Sequence, residues 1–152
     1  MGKIESRLAA LGIVLPTPAA PIANYLPYSV SGKLVVVSGQ IPLKDGKIAY
    51  TGKLGAVPLE DAVAAARLCF INLVAQLKAA AGDLDKVARI IRLGGFIAAP
   101  AEFTGHAVVM NGASDLAVEI FGEAGRHART TIGVPSLPGD AVVEVEGMFE
   151  LA

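Results

Sequence analysis

The sequence predicts an α+β domain, a mixed sheet packed on two main helices. Three observations predict it. Residues 59–81 carry apolar side chains at helical spacing, and a second helical stretch lies within 103–122. Between and around them, short runs rich in Val, Ile and Leu are bounded by Gly, Pro and Asp, as strands are. The resulting order is strand, strand, long helix, strand, helix, strand, strand.

At 152 residues the chain has one domain's length, enough to bury a core. Residues 1–23 read as a helix and a Pro-rich arm, and 24–152 as the core of the domain. Thirteen Lys and Arg balance 14 Asp and Glu to a net charge of −1 without charge runs. That argues against a nucleic-acid or membrane-surface partner, whose binding needs a concentrated basic field. Apolar residues plus glycine make up about 62% of the chain, against a usual 45–50%. A small domain cannot hide that much apolar surface alone, so an obligate oligomer is expected. The single cysteine, Cys69, excludes an internal disulfide and suits a reducing cytoplasm. Residues 8–15 faintly resemble the apolar part of a signal peptide. Glu5 and Arg7 abut the run, and Ile4, Leu8 and Leu11 fall at helical spacing, so a short helix of the folded protein is the better reading. No run of about 18 apolar residues predicts a membrane span.

In chain order, residues 3–11 read as an amphipathic helix ended at Gly12. Pro16, Pro18 and Pro21 make an extended arm that delivers Tyr25 and Tyr28, whose hydroxyls need partners if buried. Gly32-Lys33 signals a turn into the apolar strand 34–37, which runs into Ser38-Gly39-Gln40-Ile41-Pro42. A serine and a glycine at a strand end fit a bulge, or a close approach of backbone to a ligand. Lys44-Asp45-Gly46-Lys47 is a tight hairpin turn. In the long helix Val63, Ala66, Phe70, Leu73, Val74, Leu77 and Ala81 form one stripe, with Pro58 before it and Gly82 after it. Cys69 flanks that stripe as a small buried hydrophobe. Asp83-Leu84-Asp85 turns into a strand over 87–97 that Gly94-Gly95 interrupts. Gly112 suggests a kink or two pieces in the second helix, which Gly125 stops.

The C-terminal stretch from Arg126 to Glu146 reads as two strands joined through Pro135, Pro138 and Gly139. An antiparallel hairpin with Arg129 opposite Glu144 would put Thr130, Ile132, Ala141, Val143 and Val145 on an apolar face. Arg129, Thr131, Val142, Glu144 and Glu146 would share the other face. The Arg129–Glu144 pair then either stitches two strands, worth about 0–1 kcal/mol if exposed, or does chemistry. Phosphate-loop and dinucleotide fingerprints are absent, and His106 and His127 lack partners at metal-ligand spacing. No metal and no cofactor is expected.

Tyr25, the Ser38-Gly39-Gln40-Ile41-Pro42 stretch and Ala128-Arg129, Leu137-Pro138 and Val143-Glu144-Val145-Glu146 together resemble the RidA/YjgF family. The resemblance covers about residues 24–152. It includes spacing: Tyr25 precedes Ser38 by 13 residues and Arg129 precedes Glu144 by 15. It implies a chorismate-mutase-like α+β fold, assembled as a homotrimer with sites in clefts between subunits. It also implies hydrolysis of 2-imino and enamine acids such as 2-aminoacrylate to 2-keto acids and ammonia, a metabolite-repair activity. Arg129 matches the arginine that binds the substrate carboxylate, and Glu144 the acid that handles the attacking water. Tyr25, Ser38 and the Gly39 backbone match pocket-lining groups, Asn111 matches a helix asparagine, and Thr131 stands where a cysteine backbone touches substrate. His127 replaces the family's usual proline and is a further candidate for proton transfer. Two alternatives accompany this expectation. One is a trimer that binds a small carboxylate without turnover. The other, ribonuclease action, is disfavoured by the lack of a basic stripe or stacking aromatics.

Overall fold

Two long helices lie on one face of a five-stranded mixed sheet in the computed structural model, which describes residues 1–152. The elements are α1 (Lys3–Ala10), β1 (Tyr28–Ser31), β2 (Leu34–Gln40), β3 (Leu43–Lys44), β4 (Lys47–Ile48), α2 (Leu59–Ala81), β5 (Val87–Ala98), α3 (His106–Phe121), β6 (Ala128–Val134) and β7 (Val143–Leu151). The sheet runs β1-β2-β7-β5-β6, and β3-β4 form a separate ribbon. Only the β5–β6 pair is parallel, joined through α3 as a β–α–β crossover.

Local chemistry explains the local structure. Gly32 at φ 58° turns β1 into β2, and Asp45 and Gly46, at φ 53° and 77°, make the β3–β4 turn. Helix α2 ends at Gly82 with φ 79°, the left-handed cap that glycine adopts without strain. Ala66, Phe70, Leu73, Val74 and Leu77 are fully buried, as the stripe predicts. Each of the larger ones contributes about 1.5–3 kcal/mol. Cys69 is buried as expected; burial first, then the nearby Glu144 charge, push its thiol well above the usual range. Helix α2 is also long and apolar enough to cross a membrane by composition, but 61% of its apolar window is buried inside the fold, the position of a core helix. Helix α1 docks by burying Ile4 and Leu8, and Asp85 accepts from the backbone N–H groups of Lys3 and Ile4 at 2.8 and 2.9 Å.

Three expectations give way. The glycine pair does not interrupt β5, which runs unbroken through Gly94 and Gly95. Met110 Sδ on α3 would sit 2.5 Å from a Cβ at Gly95, so the missing side chain admits the helix. Helix α3 is likewise continuous at Gly112, which faces the Val63 carbonyl of α2 at a distance no Cβ tolerates. Its glycine serves close helix packing, not a kink. Finally, β6 and β7 do not form a hairpin: β5 lies between them. Arg129 pairs with Leu93, and Glu144 with Phe96. Leu93 and Phe96 are an odd number of residues apart, so Arg129 and Glu144 point to opposite faces of the sheet. Val143 and Val145 are core as expected, whereas Thr130 and Ile132 are exposed on the face without helices.

Candidate active site

The chemistry-bearing residues fall into two groups on opposite sides of the sheet. The first is built on edge strand β6 and the helix beside it. Arg129 points toward α3, where its Nη1 donates to Asn111 Oδ1 at 2.8 Å and to Ser114 Oγ at 3.1 Å. Its Nη2 donates to the Ala107 carbonyl at 3.3 Å. A guanidinium has five N–H donors, so two stay available, the number a carboxylate takes in a bidentate pair. Arg129 and Asn111, each matched separately to a family residue, are thus in direct contact. Ser114 was missed by sequence reasoning; its position three residues after Asn111, on the same helix face, was the available signal.

His127 anchors this group from behind. Its Nε2 lies 2.8 Å from Ser114 Oγ and its Nδ1 2.6 Å from the Gly125 carbonyl. The carbonyl can only accept, so Nδ1 carries the proton and Nε2 accepts from the serine hydroxyl. Burial lowers the His127 pKa, opposed by the Gly125 bond and reinforced by the Arg129 charge, which keeps the ring neutral. The result is an ordered chain: Arg129 donates to Ser114, Ser114 to His127, His127 to Gly125. Thr131, two residues along the same strand face, has a buried hydroxyl oxygen with no partner in the chain.

The second group surrounds Glu144. Its carboxylate lies over Gly39, so close that a Cβ at that position would collide with it. Strand β2 shifts register against β7 between Val37 and Gln40. Ser38 and Gly39 thus form the bulge their composition allowed, and the bulge carries Gly39 to the carboxylate. Glu144 is half-buried, and burial raises its pKa, with the like charge of Glu146 adding to the rise. Tyr25 and Gly39 line the same cavity as Glu144. Ser38 does not; its hydroxyl donates to the Leu26 carbonyl at 2.6 Å and fastens the arm. Glu144 forms no ion pair, while Glu146 lies 3.7 Å from Arg92 on the same strand face.

Arg129 and Glu144 are thus two strands and three residues apart, about 14 Å between Cα positions, with the sheet between their side chains. One subunit does not bring them together. No three His, Cys, Asp or Glu side chains converge as a metal site.

The chain is thus a small α+β domain with an arginine fork held on one side of its sheet and a carboxyl without an ion-pair partner on the other. A family model described as "YjgF/chorismate mutase-like, putative endoribonuclease" matches residues 5–151. Protein TCP17 of Trypanosoma cruzi is 46% identical, over 99% of this chain and 95% of its own. Atu1372 of Agrobacterium tumefaciens, of unknown function, is 47% identical, covering 99% of this chain and 93% of that one at a TM-score of 0.92. YyfA of Yersinia pestis, described as a member of the conserved Rid family, shares the fold at 23% identity and TM-score 0.65, over 89% and 94% of the two chains. The chain belongs to the RidA/YjgF family, and its fold is the family's chorismate-mutase-like one.

Proposed function

We propose that this protein hydrolyses reactive 2-imino acids to 2-keto acids and ammonia, at sites shared between the subunits of a homotrimer. The observation that carries the reading is the Arg129 fork, held by α3 with two donors left over. Such a fork selects a planar carboxylate over a point charge. Glu144 supplies the second requirement. Its raised pKa suits a group that must both take and return a proton near neutral pH. In the ionised form it takes a proton from water as the oxygen bonds to the imine carbon, and it passes that proton to the imine nitrogen. It then takes the proton of the new hydroxyl and hands it to the same nitrogen as the C–N bond breaks, leaving the 2-keto acid and ammonia. Neither step calls for a metal or an organic cofactor. Because the two residues face opposite sides of one sheet, the arginine of one copy meets the glutamate of the next, an arrangement that also answers the surplus of apolar residues.

The test is keto-acid release from enzymatically generated imino acids. Two charge-assisted bonds to a carboxylate are worth roughly 3 kcal/mol, so Arg129→Ala should lower kcat/KM about 100-fold. Glu144→Ala should lower kcat by at least as much. Wild-type protein giving no acceleration over buffer for a panel of imines refutes the reading. The net charge of −1 does not favour RNA as the substrate, despite the family's endoribonuclease description.

A further inference from the structure

We propose that His127 ties carboxylate binding to proton uptake: an anion seated on the Arg129 fork draws a proton onto the imidazole, so the site holds its ligand more tightly as the pH falls. The inference rests on the carboxylate-binding role given to Arg129 above. It adds a positioning residue that touches no substrate yet sets how strongly substrate is held. The hydrogen-bond chain behind the fork has two settings. With the ring neutral, Nδ1 donates to the Gly125 carbonyl at 2.6 Å and Nε2 accepts from Ser114 Oγ at 2.8 Å. The single serine proton is then committed inward, and Oγ keeps only lone pairs for Arg129, whose Nη1 lies 3.1 Å away. A second proton on the ring must go to Nε2, because the Gly125 carbonyl already holds Nδ1–H. Nε2 then donates, Oγ accepts from the ring and the guanidinium together, and the serine proton swings out to the groove that Ser114 shares with Arg129.

Without an anion the second setting is unfavourable, since one hydroxyl separates two cations. A carboxylate on the fork reverses this: it offsets the Arg129 charge and gives the serine proton an acceptor. The other charges around the ring do not do so. Asp115 and Arg126 share its groove and oppose each other in sign, and Arg126 is paired with Glu123 at 3.2 Å. Arg92, beside Ala128 in the next strand, faces the far side of the sheet toward Glu146. Burial, opposed by the Gly125 bond and reinforced by the Arg129 charge, holds the free ring's pKa below the usual histidine value. An anion roughly 8 Å from the ring, beyond the guanidinium, should raise its proton affinity about tenfold at an effective dielectric of about 20. Linkage is reciprocal, so the proton raises the affinity for the anion by the same factor. The sign follows: affinity is lowest above the ring's pKa in the complex, climbs as the pH falls, and levels off below its pKa in the free protein.

The experiment follows the His127 ring by NMR as the pH is varied, in wild-type protein with and without 2-ketobutyrate, a keto acid of the kind the proposed reaction releases. The ring's resonance is the one absent from His127→Gln. Saturating ligand is expected to move its titration up by about one pH unit. Calorimetry should show 2-ketobutyrate binding about tenfold tighter on the acid side of that window than at alkaline pH, with net proton uptake between. Glu144 also titrates, so the calorimetry is repeated in Glu144→Gln, where the tightening should survive. It should vanish when His127→Gln is added, because the glutamine amide can make both bonds of the neutral ring and takes up no proton. A ring titration that the ligand leaves in place, or a tightening that survives in the double variant, overturns the coupling. Imine turnover without the shift leaves hydrolysis standing and sinks this proposal; the shift without turnover of any imine does the reverse. If 2-ketobutyrate does not bind at all, the fork and the coupling fall together.

Discussion

An arginine on an edge strand loses about 2 kcal/mol of rotamer entropy when it is fixed. In this chain folding meets that cost before any ligand arrives, because Asn111, Ser114 and the Ala107 carbonyl already hold the guanidinium. His127 matters through the direction it imposes: its Nε2 accepts from the serine hydroxyl, so the serine lone pairs must face Arg129. Ser114→Ala should raise KM about three- to tenfold, as the loss of one charge-assisted bond does, with little change in kcat. If His127 were instead a proton shuttle, His127→Gln would depress kcat and remove a limb of its pH profile; as an anchor, glutamine retains an acceptor and most of the activity. Glu144 titrates in the opposite sense. Burial and the Glu146 charge raise its pKa, and a base must be ionised, so the acid limb of kcat/KM should lie above the ordinary glutamate range. Glu146→Gln removes the like charge and should move that limb to lower pH. A limb that stays in place would assign the rise to burial alone.

At the scale of elements, glycine marks where helices come close. Gly112 of α3 faces a backbone carbonyl of α2, whereas Gly95 of β5 faces the flexible end of Met110. A carbonyl cannot step aside and a methionine can. Gly112→Ala should therefore cost about 1–3 kcal/mol, a fall of several degrees in Tm, and Gly95→Ala clearly less; thermal melts of the two variants check the order. These positions also show what the sequence discloses. Helix α2, its proline start and glycine end, and the 44–47 turn were legible because each is set by residues within a few positions of one another. The alternation within β6 and β7 was legible as well. Which strand lies beside which was not, since period two assigns faces within a strand and is silent on its neighbour. Inserting β5 between β6 and β7 turned a supposed Arg129–Glu144 pair into residues on opposite faces. Ser114 escaped because a helical serine beside an alanine looks like any other; only the arginine arriving from β6 gives it a role.

For the whole molecule, the sheet face without helices carries Val36, Phe96, Met148 and Ile132, the last 47% exposed, beside Glu144, Glu146 and Arg92. A sheet face with no layer over it is what a domain with this composition would leave for another copy. Sedimentation at micromolar concentration should show a trimer and no substantial monomer. A monomeric protein that still turns over imines would require Arg129 and Glu144 to act separately.

The opposite orientation of these two side chains has a consequence for mixtures of mutants. In the proposed three-membered ring each site would take its arginine from one copy and its glutamate from the next. Neither Arg129→Ala nor Glu144→Ala protein then has an intact site by itself. Exchanging subunits between the two inactive proteins would give mixed rings with one complete site each. An equal, random mixture should recover about a quarter of wild-type activity. Two dead proteins would thus make a live one, while a site built within a single chain would leave the mixture as inactive as its parts.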